Sequence, residues 1–216
     1  MVLGVGGDGT MLVAARIALQ DDVPVLGFNL GTMGFLTQAE PADLDRVVDR
    51  LLKGDYQVEE RMTIEAIAGG EREIGLNDVV IEKVDTTRLV SLDVVIDGRH
   101  LTTQRADGLI VATPTGSTAY SFSAGGPLLD PTLQALVVTP VAAHSLFDRS
   151  IVVPGTSVIE VTVTNERTVR VNVDKEGLGQ LGDGGKVEIR AGERPSRFVS
   201  LGDRSFPALI REKFRL

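Results

Sequence analysis

Three short runs carry the residues best suited to chemistry: Gly6-Gly7-Asp8-Gly9-Thr10, Asn77-Asp78, and the stretch Asp107 to Pro127, DGLIVATPTGSTAYSFSAGGP. In the first, consecutive glycines let the backbone approach a phosphate, and a helix starting near Thr10 would aim its N-terminus at the same place. Asp8 then stands within reach of both a phosphate and an incoming hydroxyl, where a carboxylate can take a proton. The competing role is a helix cap in a tight turn, the commoner fate of an aspartate between glycines. In the third run, an apolar strand from Leu109 to Ala112 delivers a cluster of hydroxyls and glycines, with Tyr120 among them. That cluster is too polar for a core and too poor in charge for a solvated loop, so it reads as a surface for a ribose, a phosphate or a base. A helix cap needs one hydroxyl, whereas Thr115, Ser117, Thr118, Ser121 and Ser123 crowd together. For Asn77-Asp78 the ordinary alternative is an Asx turn at the start of a strand.

The elements that must hold these runs fall into two kinds. Met1 to Val5 reads as a strand entering the glycine turn, and Met11 to Gln20 as a helix apolar on almost every side, hence buried. Pro24 to Phe28 reads as a short strand, and Pro41 to Leu52 as an amphipathic helix ended by Gly54. This alternation is that of an α/β layer with a parallel sheet. From about Gln57 the periodicity is that of strands: 62–68, 75–83, 89–96, 101–112, 157–164, 168–173 and 186–190. Asp97-Gly98 is a two-residue hairpin turn. Residues 117–122 begin a short helix, 132–138 fit either helix or strand, and 206–214 form a last helix with Pro207 in its first turn. The expected fold is therefore a Rossmann-like α/β portion over residues 1–57, a β-rich, sandwich-like domain over 58–202, and a helix over 203–216 that packs back on the α/β portion.

With 216 residues the chain can build a substantial core. Its net charge of −8 argues against nucleic acid and acidic membranes as general partners, yet a local glycine nest can still hold an anion. The chain has no cysteine, which excludes disulfides and thiolate chemistry and suits a cytoplasmic location. His100 and His144 are too few and too far apart for a metal site. The spacing of Gly4, Gly6 and Gly9 satisfies the dinucleotide fingerprint GxGxxG, but no acid follows about 20 residues on. The lysine of a Walker A loop is also absent.

Together with Phe28 to Thr37 (FNLGTMGFLT) and Asn77 to Ile81 (NDVVI), the three runs resemble the ATP-dependent NAD kinases, in the same order and from Met1 to about Phe214. GGDGT also occurs in diacylglycerol kinases, sphingosine kinases and phosphofructokinases, whereas TPTGSTAY following DG is far more specific. The resemblance implies transfer of a phosphoryl group from ATP, or polyphosphate, to the 2′-hydroxyl of the adenosine ribose of NAD. It makes Asp8 the general base, with Gly6, Gly7 and Gly9 around the phosphates and Mg²⁺ arriving on ATP. It assigns Asn77 and Asp78 to the ribose hydroxyls and base, and Arg105, Asp107, Thr118, Ala119, Tyr120 and Ser123 to the same ligand. Phe28, Arg88 and Ala142 fall at further ligand-contact positions. Glu176 departs from the pattern, standing where the family has a glutamine that touches the ligand. The resemblance further implies a homodimer or homotetramer that binds NAD and ATP. The family carries additional α/β segments before GGDGT, so the α/β portion reads as truncated, whether as a fragment, a start placed too late or a reduced family fold, and weak or no activity is expected of the chain by itself. A lipid kinase and a non-catalytic dinucleotide-binding remnant are the alternatives.

Overall fold

The structure is a computed structural model that describes residues 1–31, 34–203 and 205–216. It divides into two compact units, Met1–Arg61 with Arg194–Leu216, and Met62–Glu193.

The first unit begins with β1 (Val2–Val5), α1 (Asp8–Gln20) and β2 (Val25–Phe28). The two strands run parallel, with Val5 opposite Phe28. Gly4 and Gly27 lie so close to Met11 of α1 that a Cβ on either would overlap its thioether. The missing side chains let helix and sheet approach. Next come α2 (Leu44–Leu52) and β3 (Gln57–Arg61). The sheet reaches four strands because Ser196–Ser200 returns late in the chain, between β2 and β3. It lies parallel to β2 and antiparallel to β3, with Phe198 opposite both Val25 and Glu59. The expected boundaries at 57/58 and 202/203 therefore move to 61/62 and 193/194, since these two segments pair with each other. Asp203 ties this end of the chain to α2, accepting from Arg46 at 2.6 Å and from Arg50 at 3.3 Å. The last helix, Phe206–Phe214, also belongs to this unit and is capped by the Ser205 side chain. One expectation fails here. Helix α1 buries only one face, Met11, Ala14, Ala15 and Ala18, while Val13 and Ile17 are exposed.

The second unit contains two six-stranded sheets. Its strands are β4 (Ile64–Ala68), β5 (Glu71–Gly75), β6 (Asp78–Lys83), β7 (Val90–Ile96), β8 (Arg99–Ala106) and β9 (Gly108–Ala112), then α3 (Tyr120–Ser123). After that helix follow β10 (Ala135–Val141), β11 (Ile151–Pro154), β12 (Ile159–Val163), β13 (Val169–Val173), β14 (Glu176–Leu181) and β15 (Lys186–Ala191). One sheet has the order β5-β4-β15-β12-β7-β8 and the other β11-β10-β9-β6-β13-β14. Alternate residues of both, such as Ile64, Leu92, Ile159, Val79, Ile81 and Val111, form one shared core, so the unit is a β-sandwich. The outer face of the second sheet carries Val80, Ile110, Ala112 and Val137, partly covered by Ala124 and Leu129.

Two local expectations are corrected and one holds. Residues 101–112 are two strands in different sheets, with Asp107 at the crossing. Residues 132–138 resolve as strand from Ala135 onward, paired with both β9 and β11. Asp97 and Gly98 both have positive φ, 50° and 72°, as a two-residue hairpin turn between β7 and β8 requires.

The crossing depends on Gly108, where a Cβ would lie 2.3 Å from the Ile81 carbonyl oxygen. Gly108→Ala must push β9 away from β6. It should lower unfolding stability by about 1–3 kcal/mol, as overpacking against backbone does; urea denaturation would measure the loss.

Candidate functional site

In the first unit, Gly7 is the N-cap residue of α1, no side chain caps the helix, and Asp8 is its first residue. The Thr10 amide donates to the Gly7 carbonyl at 2.9 Å, and no side chain closes the start of the helix ahead of it. Asp8 is not the cap. Its Oδ2 accepts from the amide of Phe35 and its Oδ1 from that of Leu36, both at 3.0 Å. The loop comes this close because of Gly34, where a Cβ would sit 2.0 Å from Asp8 Oδ1. Each oxygen keeps a lone pair for a further donor. Gly7 and Gly9 face open space, so a bulky anion can approach the turn. Gly6 lies against the Thr10 side chain, and its amide donates to the Phe28 carbonyl at 2.8 Å. Phe28 itself belongs to the core with Leu26, Val47 and Val199, so its carbonyl rather than its ring serves the turn. Of the run from Phe28 to Thr37, Thr32 and Met33 lie outside the described residues.

In the second unit, Asn77-Asp78 is not a self-contained Asx turn. Its two amides, and that of Leu76 before it, are claimed by a side chain far along the sequence, Asp174. The Leu76 amide donates to Asp174 Oδ2 at 2.5 Å, while those of Asn77 and Asp78 donate to Oδ1 at 2.8 and 3.1 Å. From the other side, the Thr113 hydroxyl donates to the Leu76 carbonyl at 2.6 Å, and the Thr113 amide to that of Asn77 at 2.9 Å. Gly116 lies directly on Asn77, where a Cβ would fall 2.0 Å from its carbonyl oxygen.

The hydroxyl cluster divides in two. Ser117 and Ser121 are buried and satisfied within the fold. Ser117 donates to the Pro114 carbonyl at 2.6 Å and accepts from the Leu129 amide at 2.9 Å. Ser121 shares a hydrogen bond of 2.9 Å with Thr139. The crowding that suggested ligand binding is thus partly structural. Thr118 and Ala119 are half-buried, while Tyr120 and Ser123 are exposed on α3.

Charge links several of these residues. Burial, then the negative charge of Asp174, pushes Asp78 up to about 7, with Lys175 opposing. The Tyr120 phenol is also raised, by desolvation first and then by Glu82, Asp107 and Asp78. Asp107 is paired with Lys83. The backbone draws Arg105 and Ala142 to the same end, since Asp107 donates its amide to the Val141 carbonyl at 2.9 Å and His144 donates to that of Arg105 at 2.7 Å. Ala142 adopts φ 47°. Glu176 opens β14, exposed and opposite Val173, two residues after Asp174. Arg88 stands apart in the exposed turn after β6, beside Asp85. Among the described residues, no group of three or more His, Cys, Asp or Glu is placed to hold a metal ion. No helix among them is long and apolar enough to cross a membrane. Sequence reasoning singled out neither Gly34, Thr113, Gly116 nor Asp174 as part of the site. The two glycines stood inside motifs already noticed, but nothing in the spacing tied Asp174 to Asn77.

A glycine turn at an uncapped helix start, with a carboxylate held beside it, and a sandwich whose outer face gathers carboxylates around a tyrosine define a nucleotide-handling protein. Residues 1–56 match the ATP-NAD kinase N-terminal domain and residues 76–201 the ATP-NAD kinase C-terminal domain. An NAD kinase of Moorella thermoacetica is 43% identical over 219 residues, 99% of this chain and 70% of that protein. One of Nocardia farcinica is 43% identical over 222 residues, all of this chain and 68% of that protein. Among solved structures, a yeast NADH kinase complexed with NADH has a TM-score of 0.88 and 29% identity, covering 99% of this chain. The chain spans 64% of that yeast protein's length. An NAD kinase from Archaeoglobus fulgidus in complex with ATP has a TM-score of 0.83 and 27% identity, covering 99% of this chain and 82% of that one. The chain belongs to the NAD kinase family.

The raised Asp78 has a consequence for stability. Between the ordinary carboxylate value near 4 and about 7, the folded chain keeps a proton that the unfolded chain has released. This group therefore costs stability progressively as pH rises through that window, and the cost is constant above it. Asp78→Asn removes the penalty. It should stabilise the protein at pH 8, by roughly 4 kcal/mol at most, and by much less at pH 4. Thermal melts at the two pH values would show the difference.

Proposed function

We propose that this chain transfers the γ-phosphoryl group of MgATP to the 2′-hydroxyl of the adenosine ribose of NAD, making NADP. Asp8 carries the reading: a carboxylate beside a glycine turn, at the start of an uncapped helix, oriented by two amides and still able to accept a proton. In this reading the 2′-hydroxyl gives its proton to Asp8 as its oxygen attacks phosphorus. Gly6, Gly7 and Gly9 line the phosphates, and Mg²⁺ enters on ATP. The sandwich unit holds the dinucleotide through Asn77, Asp78, Asp107, Tyr120 and their neighbours, with Arg88, Arg105, Ala142 and Glu176 at its margins. Family membership supports the same reaction. A cytoplasmic location and a homodimer or homotetramer belong to the reading, as does polyphosphate as a second donor.

The lipid-kinase alternative rests on GGDGT and needs an apolar acceptor pocket. It leaves both TPTGSTAY and the Asn77-Asp78 pair without a role. Incubation with NAD and MgATP should yield NADP, and a diacylglycerol or sphingosine acceptor should yield no phospholipid. The opposite pattern would replace the proposal with the alternative.

Asp8→Asn sharpens the test. It removes the base, and with it one of the two acceptors for the 34–36 loop, because the amide nitrogen of asparagine cannot accept. Turnover should fall by roughly 10²–10⁴-fold or more, while NAD affinity, measured by calorimetry, stays near that of the parent. Near-normal turnover would remove Asp8 from the mechanism.

A further inference from the structure

We infer that Asp174 is a positioning residue for the dinucleotide site: its carboxylate locks the Leu76–Asp78 turn and thereby sets where Asn77 and Asp78 meet the ligand. The inference rests on the reading above that this turn binds NAD. Three consecutive amides converge on one carboxylate, at 2.5, 2.8 and 3.1 Å, from a strand start nearly a hundred residues earlier in the chain. The lock is reciprocal, since the Asp174 amide donates to the Asp78 carbonyl at 3.1 Å.

The local backbone is shaped for this task. Asp174 and Lys175 form the two-residue turn between β13 and β14, with φ of 48° and 76°. Such turns favour Asn-Gly or Asp-Gly, so a lysine at the second position is held in a conformation that side chains rarely adopt. Gly75 completes the fit, because a Cβ there would lie 2.6 Å from Val173 and 2.9 Å from the Asp174 carboxyl carbon. The turn from β13 thus sits flush against the chain entering β6. Asp174 also acts through charge. Asp78 faces Asp174 and Lys175 from this turn and lies close enough to Tyr120 of α3 to raise its phenol. Burial is the main cause that raises Asp78, and the negative charge of Asp174 adds to it, so the residue that places this carboxylate also biases its protonation.

Asp174→Asn tests the inference, since asparagine tolerates positive φ but turns an N–H₂ group toward one of the three amides. Affinity for NAD, measured by calorimetry, should fall by roughly 10–100-fold, the scale on which a misplaced contact costs binding or rate. The pH midpoint of NAD affinity should move to lower pH, because the neighbouring negative charge is gone. Leu92→Ala in the opposite sheet is the control for lost stability, and it should leave NAD affinity unchanged. An Asp174→Asn protein that binds NAD within twofold of the parent, at an unshifted midpoint, would overturn the inference. Equal losses of affinity in both variants would also overturn it, reducing Asp174 to a stability role. Should the parent chain bind no NAD, the functional reading falls instead. Amide exchange then still decides for Asp174: faster exchange at Leu76, Asn77 and Asp78 in Asp174→Asn upholds its hold on the turn, and unchanged exchange ends it.

Discussion

The sandwich unit depends on one carboxylate that serves backbone amides rather than another side chain. A strand entering a sheet leaves its first amides without ladder partners, and buried amides without acceptors are costly. At the start of β6 that need is met by Asp174, which takes all three. Hydrogen bonds to a charged acceptor are worth about 1.5–3 kcal/mol each in favourable cases, enough to hold both the turn and the strained residues beside it. Thr113 and Gly116 press on the same turn from β9 and the loop after it. Three stretches of chain, from residues 76, 113 and 174, therefore share one fixed point, and Asn77 and Asp78 are carried on it.

The α/β unit applies the same physics at Asp8. Its carboxylate holds the 34–36 loop through two amides, as that of Asp174 holds the turn at 76–78. In both places a glycine without a Cβ, Gly34 or Gly75, is what lets the backbone come near enough. A carboxylate held by two amides keeps its direction. Asp78 shows the complementary case, a buried carboxylate facing another one and raised to about 7.

The hydroxyl-rich run has a buried, internally bonded side and an exposed one. Buried Ser117 and Ser121 knit the loop to Pro114, Leu129 and Thr139. That internal bonding is what allows the exposed face of the run, with Tyr120 and Ser123, to keep a defined shape beside Asp78, Glu82 and Asp107. A loop so rich in small polar groups would otherwise be mobile, since it has little apolar surface to bury.

The sequence by itself determined a good deal. The strand, helix and strand around GGDG, the hairpin at Asp97-Gly98, the last helix and the division into an α/β and a β-rich part were all legible, because each follows from local periodicity or turn chemistry. So was the family, carried by GGDGT and TPTGSTAY. Tertiary structure decided what depends on partners distant in sequence. The return of Ser196–Ser200 to the first sheet, the crossing of residues 101–112 between sheets at Asp107, and the burial of the Phe28 ring are set by pairing and packing. Local pattern cannot express these. The same holds for Asp8, whose partners are backbone amides at 35 and 36, and for Asp174, whose partners lie at 76 to 78. An amide carries no residue identity, so no spacing of side-chain types in the sequence announces where a carboxylate will find one.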